Sequence, residues 1–422
     1  MSIPLIMAGP ATAMGNDTNP ANTVAVSACG LAVGILCVIH WHKVMSLVRQ
    51  NWASVLLVII VVASISWSIH PDFTFRRSSG YIVTMLAAAY FSSRFTIDQV
   101  MKVLSWSFAL SAIGSIVFVA IYPQHGIMQG SFLGGNWRGV FSHKEGLGLV
   151  MSVGVFVECY IITSSPSRRL QHLGLLGCFF ALVVLSQATT ALLCAIFYMV
   201  SVCIYLFSRR SIGITLTSLV FLGFISFIFF TAYPDLSLSF LGKDATFTGR
   251  TAIWPLVLDL ISEKPLLGWG YGAMWLNNDI STAPFINTLG WNPLSAHNEF
   301  LEVALELGLV GVAVILIIIL VTLRRGVYCI LIGRNQIGMF LLLFVFASMA
   351  TGIVESTLVE NQTIDWVLFN ILSFSAGLEI TRQKALREKS ATPDGRSILS
   401  RTKLKEQKTL RSGNIVSHDR IL

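Results

Sequence analysis

Long uncharged apolar runs recur along this chain, and they constrain its fold more than any other feature. A helix crossing the hydrocarbon of a bilayer needs about 20 mostly apolar residues. Runs of that order lie near 23–40, 52–69, 79–93, 100–122, 146–163, 170–186, 189–207, 211–231, 299–322, 337–357 and 363–380. They predict about eleven transmembrane helices. Continuous apolar runs of this length read as helix, because barrel strands span about ten residues and alternate polar with apolar. Only 12% of the 422 residues are charged and 54% are hydrophobic. Soluble domains carry roughly 25% charged residues, so a water-exposed fold, a disordered chain and a disulfide scaffold are all excluded. Six of the seven cysteines lie inside apolar runs and Cys329 lies beside one, with no C-x-x-C pair. They read as small hydrophobes, and neither a disulfide nor a Cys-bound metal is expected. The predicted fold class is an all-α polytopic membrane bundle.

Charge sets the expected orientation. Residues 381–422 hold 11 Lys and Arg against 4 Asp and Glu, a net of +7 out of +8 for the whole chain. A polar basic segment after the last span reads as a cytoplasmic, disordered tail that meets anionic lipid heads or water rather than nucleic acid. Alternate loops carrying Lys43 and Arg49, Arg94 and Lys102, Arg168 and Arg169, Arg209 and Arg210, and Arg324, Arg325 and Arg334 fall on the same side. The N-terminus is then outside. Met1 to Asn22 holds no Lys or Arg, so the basic start of a cleavable signal is missing. Residues 1–380 are expected to form one membrane domain.

Seven basic residues remain on the outer side, where the charge rule predicts few: Arg76, Arg77, Arg138, Lys144, Lys243, Arg250 and Lys264. Lys243 and Lys264 read as ordinary loop charges. The others sit near span ends or in Gly- and Trp-rich segments, where clustered cations repel unless an anion joins them. The planar guanidinium fork matches phosphate in particular.

Two outer segments are long. Pro123 to Lys144 includes Gly134-Gly135-Asn136-Trp137-Arg138-Gly139 and ends in His143-Lys144. Residues 232–298 form the largest non-spanning segment before the tail, and a loop of that length usually carries function. Within it, Thr251 to Ser262 places Ile253, Trp254, Val257, Leu258 and Ile261 at helical spacing, with Pro255 in the first turn. That predicts an amphipathic helix on the outer interface. The aromatic residues nearby, such as Trp275 and Trp291, suit either the membrane interface or stacking on sugar rings. The loop closes on Ser295-Ala296-His297-Asn298-Glu299. Ser295 or Asn298 can cap the following helix, and Glu299 fits its positive end. An imidazole is not needed for capping and suits proton transfer near neutral pH, which singles out His297. Glu299, Glu302 and Glu306 share one helical face. Carboxylates entering hydrocarbon are costly, so that face should look into the protein, as should Glu158, where each can orient a neighbouring His or Arg.

Four segments resemble the O-antigen ligase and polysaccharide polymerase superfamily of bacterial inner membranes, and its exopolysaccharide polymerase branch in particular. They are Trp67-Ser68-Ile69-His70-Pro71-Asp72 through Arg76-Arg77; Trp137-Arg138-Gly139-Val140-Phe141-Ser142-His143-Lys144; Thr248-Gly249-Arg250-Thr251 with Trp254 and Pro265-Leu266-Leu267-Gly268-Trp269-Gly270; and Ala296-His297-Asn298-Glu299-Phe300-Leu301-Glu302. His70 and Glu145 depart from that pattern, standing where an acidic residue and an Asn are common. The resemblance implies a GT-C-like glycosyltransferase acting on the periplasmic face without a metal or other cofactor. Its donor and acceptor would be oligosaccharides on polyprenyl diphosphate. It assigns Arg138 and Arg250 to the diphosphate, with Lys144, Arg76 and Arg77 in support, and His297 to the reacting carbon. Trp254, Asn298 and Glu302 complete the expected substrate-binding set. It also makes a flippase and a chain-length regulator candidate partners. Ligation of finished glycan to another acceptor is the alternative to polymerisation. A lipid-linked oligosaccharide transporter and a membrane O-acyltransferase are further readings. The first usually shows internal repeats and midplane charges that this chain lacks, and an acyl donor gives the outer arginines less to bind.

Overall fold

The computed structural model describes residues 20–129, 134–164, 168–208, 211, 213, 250–276, 282–291, 293–356, 359 and 363–391. All but residues 211 and 213 of the expected span 211–231, together with Lys243 and the tail beyond 391, lie outside the described residues. In chain order the helices are α1 (Pro20–Ile39), α2 (Trp41–Gln50), α3 (Trp52–Ala63), α4 (Pro71–Arg94), α5 (Ile97–Ile121), α6 (Lys144–Ser164), α7 (Arg169–Ser186) and α8 (Thr189–Phe207). Then follow α9 (Arg250–Glu263), α10 (Ala283–Leu289), α11 (Glu299–Leu331), α12 (Asn335–Val354) and α13 (Ile364–Ala391). A four-residue helix, Pro123–Gly126, follows α5. The protein is an all-α polytopic membrane protein.

Seven of these helices are long and apolar enough to cross a bilayer: α5, α6, α7, α8, α11, α12 and α13. An eighth is reached if α1 and α2, bent by 95° at His40, count as one. The expected eleven are therefore not reached among the described residues. The run at 52–69 forms only a shorter apolar helix, Trp52–Ser66. The run at 79–93 sits inside α4, which has the length but is too polar, carrying Asp72, Arg76, Arg77, Arg94 and several serines. α13 also continues through the first residues of the expected tail, to Ala391.

α6 runs through the middle of the bundle and is buried along nearly its whole length. Two glycines let its neighbours come close: a Cβ at Gly148 would lie 2.5 Å from the Ala188 Cβ, and one at Gly154 would lie 2.8 Å from the Phe179 ring. Phe156 on the same helix meets the rings of Tyr198, Phe340 and Phe344. Glu158 is fully buried there, accepting from Ser105 at 2.5 Å and contacting His172 Nδ1 at 2.8 Å. A carboxylate in this setting persists only with such partners, and the face predicted to look inward does so.

α11 is broken. Gly308 has φ 66° and ψ −170°, outside helical geometry. A break leaves carbonyls and N–H groups without intrahelical partners, which in hydrocarbon costs several kcal/mol for each group. The segment Pro265–Gly270 fills the gap with its own backbone. Trp269 and Gly270 donate to the carbonyls of Leu305 and Glu306, each at 2.9 Å. Leu309 and Val310 donate to those of Pro265, at 2.8 Å, and Leu266, at 3.3 Å. Beyond the break about 23 residues remain, roughly 35 Å of helix, enough for the hydrocarbon thickness. Glu299 to Leu307 forms a separate short helix at one end of the bundle.

A second, small core surrounds that short helix. Ile253 and Val257 of α9, Phe285 of α10, Met274, Trp275, Ala296 and Leu305 are buried together. The helix predicted at Thr251–Ser262 is thus present, but Leu258 faces outward and the buried face packs on protein.

A Cβ at Gly308 would lie 2.1 Å from the Leu266 carbonyl oxygen, a backbone atom that no rotamer change can move. Gly308→Ala should therefore cost at least the about 1–3 kcal/mol of a strained left-handed residue. Gly177→Ala meets nothing within 4 Å and should cost nothing. Thermal unfolding in detergent separates the two; equal melting temperatures for both variants would show that the break is not needed.

Candidate active site

His297 lies between the small core and the start of α11, and the backbone around it is held from several sides. Trp254 donates its indole N–H to the Ala296 carbonyl at 3.1 Å. The Ala296 N–H donates to Glu302 Oε2 at 2.6 Å, and Trp275 donates to Glu302 Oε1. Asn298 caps α11, its Oδ1 accepting from Phe300 at 3.0 Å and Leu301 at 3.1 Å, while its Nδ2 donates to the Ile353 carbonyl at 3.1 Å. Under these constraints His297 takes φ 50°. Left-handed backbone is uncommon for a side-chain-bearing residue, and it persists where the surroundings over-determine it.

The imidazole meets a carboxylate from another helix. His297 Nδ1 lies 3.2 Å from Glu355 Oε2, just past the end of α12, with the histidine side chain 30% exposed. A proton on Nδ1 facing the carboxylate leaves the Nε2 lone pair to accept another, the arrangement that general-base chemistry needs.

The Trp137–Lys144 segment supplies the cations. Trp137 N–H donates to the Leu185 carbonyl at 3.0 Å, and Arg138 and Gly139 donate to that of Gly126 at 2.9 and 3.0 Å. Gly139 has φ 58°, and a Cβ there would lie 2.4 Å from the Ser115 Cβ, so only glycine fits. Arg138 uses Nε on the His125 carbonyl at 2.6 Å and Nη1 on that of Ser142 at 3.3 Å. Those contacts fix the guanidinium, and its remaining N–H donors meet no other partner among the described residues. Lys144 is buried at the start of α6, and its Nζ donates to the Gln187 carbonyl at 3.3 Å.

His143 links this segment to His297. Burial, then the neighbouring Lys144 ammonium, holds its imidazole below the ordinary 6.5; the Glu355 carboxylate pulls the other way and Arg138 adds to the lowering. Glu355 therefore contacts one histidine and acts electrostatically on the other. His297, Glu355, His143, Lys144 and Arg138 form one neighbourhood.

The other expected residues take different places. Arg76 is exposed, its guanidinium 5.5 Å from the Phe73 ring centre. Arg77 turns inward against Gly272, and its charge is felt by Glu302 and Glu306. Trp254, Asn298 and Glu302 position the His297 backbone. Arg250 begins α9, and its side chain lies outside the described residues. Glu355 escaped the sequence reading because nothing in Ile353-Val354-Glu355-Ser356 marks it apart from an ordinary span end. Its value comes from a contact across 58 residues of chain.

The fold and site together define a multi-pass membrane protein with a histidine–carboxylate pair at one end. The family model for O-antigen ligase matches residues 173–316, which include His297 and the break in α11. The exopolysaccharide production protein ExoQ of Rhizobium meliloti (strain 1021) is 23% identical over 310 residues, 69% of this chain and 68% of that protein. Proteins provisionally named polysaccharide ligase are 32% identical over 95 residues in Rickettsia felis and over 94 in Rickettsia conorii, each match covering 22% of this chain and 23% of theirs. The chain is thus similar to O-antigen ligases over residues 173–316 and to ExoQ over about two thirds of its length.

The lowered value of His143 has a sign that can be checked. Between its folded-state value and about 6.5, the folded protein binds fewer protons than the unfolded chain, so stability falls as pH drops through that interval. His143→Gln should remove this part of the acid sensitivity. Melting temperatures followed from about pH 8 to about pH 5 should fall less steeply for the variant; parallel curves would refute the assignment.

Proposed function

We propose that this protein is an inner-membrane glycosyltransferase that polymerises polyprenyl-diphosphate-linked oligosaccharide units on the periplasmic face. The observation that carries the reading is the His297–Glu355 pair beside His143, Lys144 and Arg138. It brings a proton acceptor and a cationic cradle to the same end of the bundle. The acceptor sugar hydroxyl attacks the anomeric carbon of the donor and gives its proton to His297 Nε2. The carbon–oxygen bond to the diphosphate breaks, and its electron pair leaves with the lipid diphosphate. Arg138 and Arg250 offset the charge that grows on that group, which is why the reaction needs no divalent cation. A single displacement inverts the anomeric configuration.

Transfer of the glycan to a different acceptor uses the same groups, so ligation is the second reading. The longer match is to ExoQ, named for exopolysaccharide production, and the shorter ones are to proteins provisionally named polysaccharide ligase, so neither reading is favoured by name alone.

Purified protein in detergent, given lipid-linked repeat units, should extend them in the presence of a chelator. His297→Ala should lower the rate by about 10²–10⁴-fold, and Arg138→Ala and Arg250→Ala by about 10²–10³-fold each, with the proteins still folded. Full polymer from His297→Ala, or loss of activity to the chelator alone, would overturn the mechanism. Extension absent but glycan passed to a second acceptor would identify a ligase.

A further inference from the structure

We propose that α2 is a docking site for the headgroups of anionic phospholipids, at the end of the bundle opposite the histidine–carboxylate pair. The placement comes first. Arg325, near the far end of α11, donates to the Gln50 carbonyl at 3.2 Å and to Asn51 Oδ1 at 2.5 Å. That is about 40 Å of helix from Glu299. The 95° bend at His40 turns α2 across the direction of α1, so when α1 crosses the bilayer α2 lies along its surface.

The composition of α2 suits that position. Val44 and Leu47 are buried, while Trp41, His42, Lys43, Ser46 and Arg49 are exposed. Trp41 is 54% exposed and Trp52, just past the other end, 57%. An indole at each end of a basic helix is the arrangement that seats at the headgroup level. A shallow groove of about 340 Å³ runs along the helix, lined by Trp41, His42, Met45, Ser46, Arg49 and Gln50. Its apolar Trp41 and Met45 can take the glycerol and first acyl carbons, and Arg49 and His42 can take the phosphate.

Charge complementarity decides what fills it. No Asp or Glu occurs between Asp17 and Asp72, and neither Lys43 nor Arg49 is in an ion pair among the described residues. Of the helices packed on α2, α13 carries Glu379, which Arg334 engages at 2.6 Å, and Glu388, one helical turn beyond Lys384. A zwitterionic headgroup would leave the cations uncompensated, whereas an anionic one neutralises them.

The full-length protein, equilibrated in micelles with equimolar phosphatidylglycerol and phosphatidylcholine, can be read by native mass spectrometry for the lipids it retains. Wild type should prefer phosphatidylglycerol. Lys43→Ala and Arg49→Ala should each weaken that preference about five-fold, and the pair about thirty-fold. Arg324→Ala, exposed at the same end but outside α2, should leave it intact. Because all these side chains are exposed, the variants should fold, and circular dichroism verifies it. If both α2 variants keep the preference, if Arg324→Ala weakens it as much, or if millimolar inorganic phosphate displaces the lipid, the headgroup site is wrong. Should the double variant fail to fold, Lys43→Glu alone tests the same point, since a preference that survives the reversed charge overturns the site.

Discussion

Four backbone hydrogen bonds between Pro265–Gly270 and the broken helix α11 hold the loop before that helix to the bundle, and the candidate active site depends on them. A continuous helix from Glu299 to Leu331 would have no free backbone groups at Leu305, Glu306, Leu309 and Val310, so the loop would have nothing to dock on. A loop without a break to dock on would leave its own N–H and carbonyl groups unpaired at the edge of hydrocarbon, a costly position. Each irregularity satisfies the other. The same docking brings Trp269 to the Leu260 carbonyl at 2.9 Å and Trp67 to the Leu267 carbonyl at 3.0 Å, so α9 and the end of α3 are tied to one junction.

From that junction the carboxylates divide by task. Glu299 accepts from the Val359 N–H at 2.9 Å, and Glu302 accepts from Ala296, Trp275 and Ser356. Both are occupied in shaping the turn before α11. A buried carboxylate with two or three N–H or O–H donors is stable in place but has little capacity left for a substrate. Glu355 instead comes from the end of α12 and meets an imidazole that is partly open to solvent. Partial exposure leaves that imidazole accessible, whereas full burial suits the carboxylates that hold a strained turn.

Much of the architecture was legible in the sequence because hydrocarbon selects on length and polarity, both of which are linear properties. The spans at 100–122, 146–163, 170–186, 189–207, 299–322, 337–357 and 363–380 all correspond to helices in the structure. The Asn298 cap and the inward face of Glu158, Glu299, Glu302 and Glu306 followed from local rules of the same kind. What escaped were features created by contacts between distant segments. The break at Gly308 looks in sequence like any Leu-Gly-Leu step of a membrane helix, and only the Pro265–Gly270 backbone gives it meaning. The 95° bend before Trp41 carries no proline or glycine to announce it. Arg76 and Arg77 read as a pair, yet a helix sends adjacent side chains about 100° apart, so one faces outward and the other meets Gly272.

The electrostatics of the histidine neighbourhood argue for an anion as its missing component. Arg138 and Lys144 bring two positive charges, Glu355 one negative charge engaged by His297, and Glu145, beside Lys144, another. His143 sits among them with its imidazole held below its ordinary value, so it adds no charge near neutral pH. Arg138 meets no carboxylate among the described residues, and in a partly buried place unlike charges attract more strongly than in water. Backbone carbonyls at His125, Ser142 and Gln187 carry only partial charge and serve to aim the cations rather than neutralise them. Under the proposed function, the diphosphate of the donor would supply the negative charge and the acceptor oxygens that Arg138 is aimed to meet.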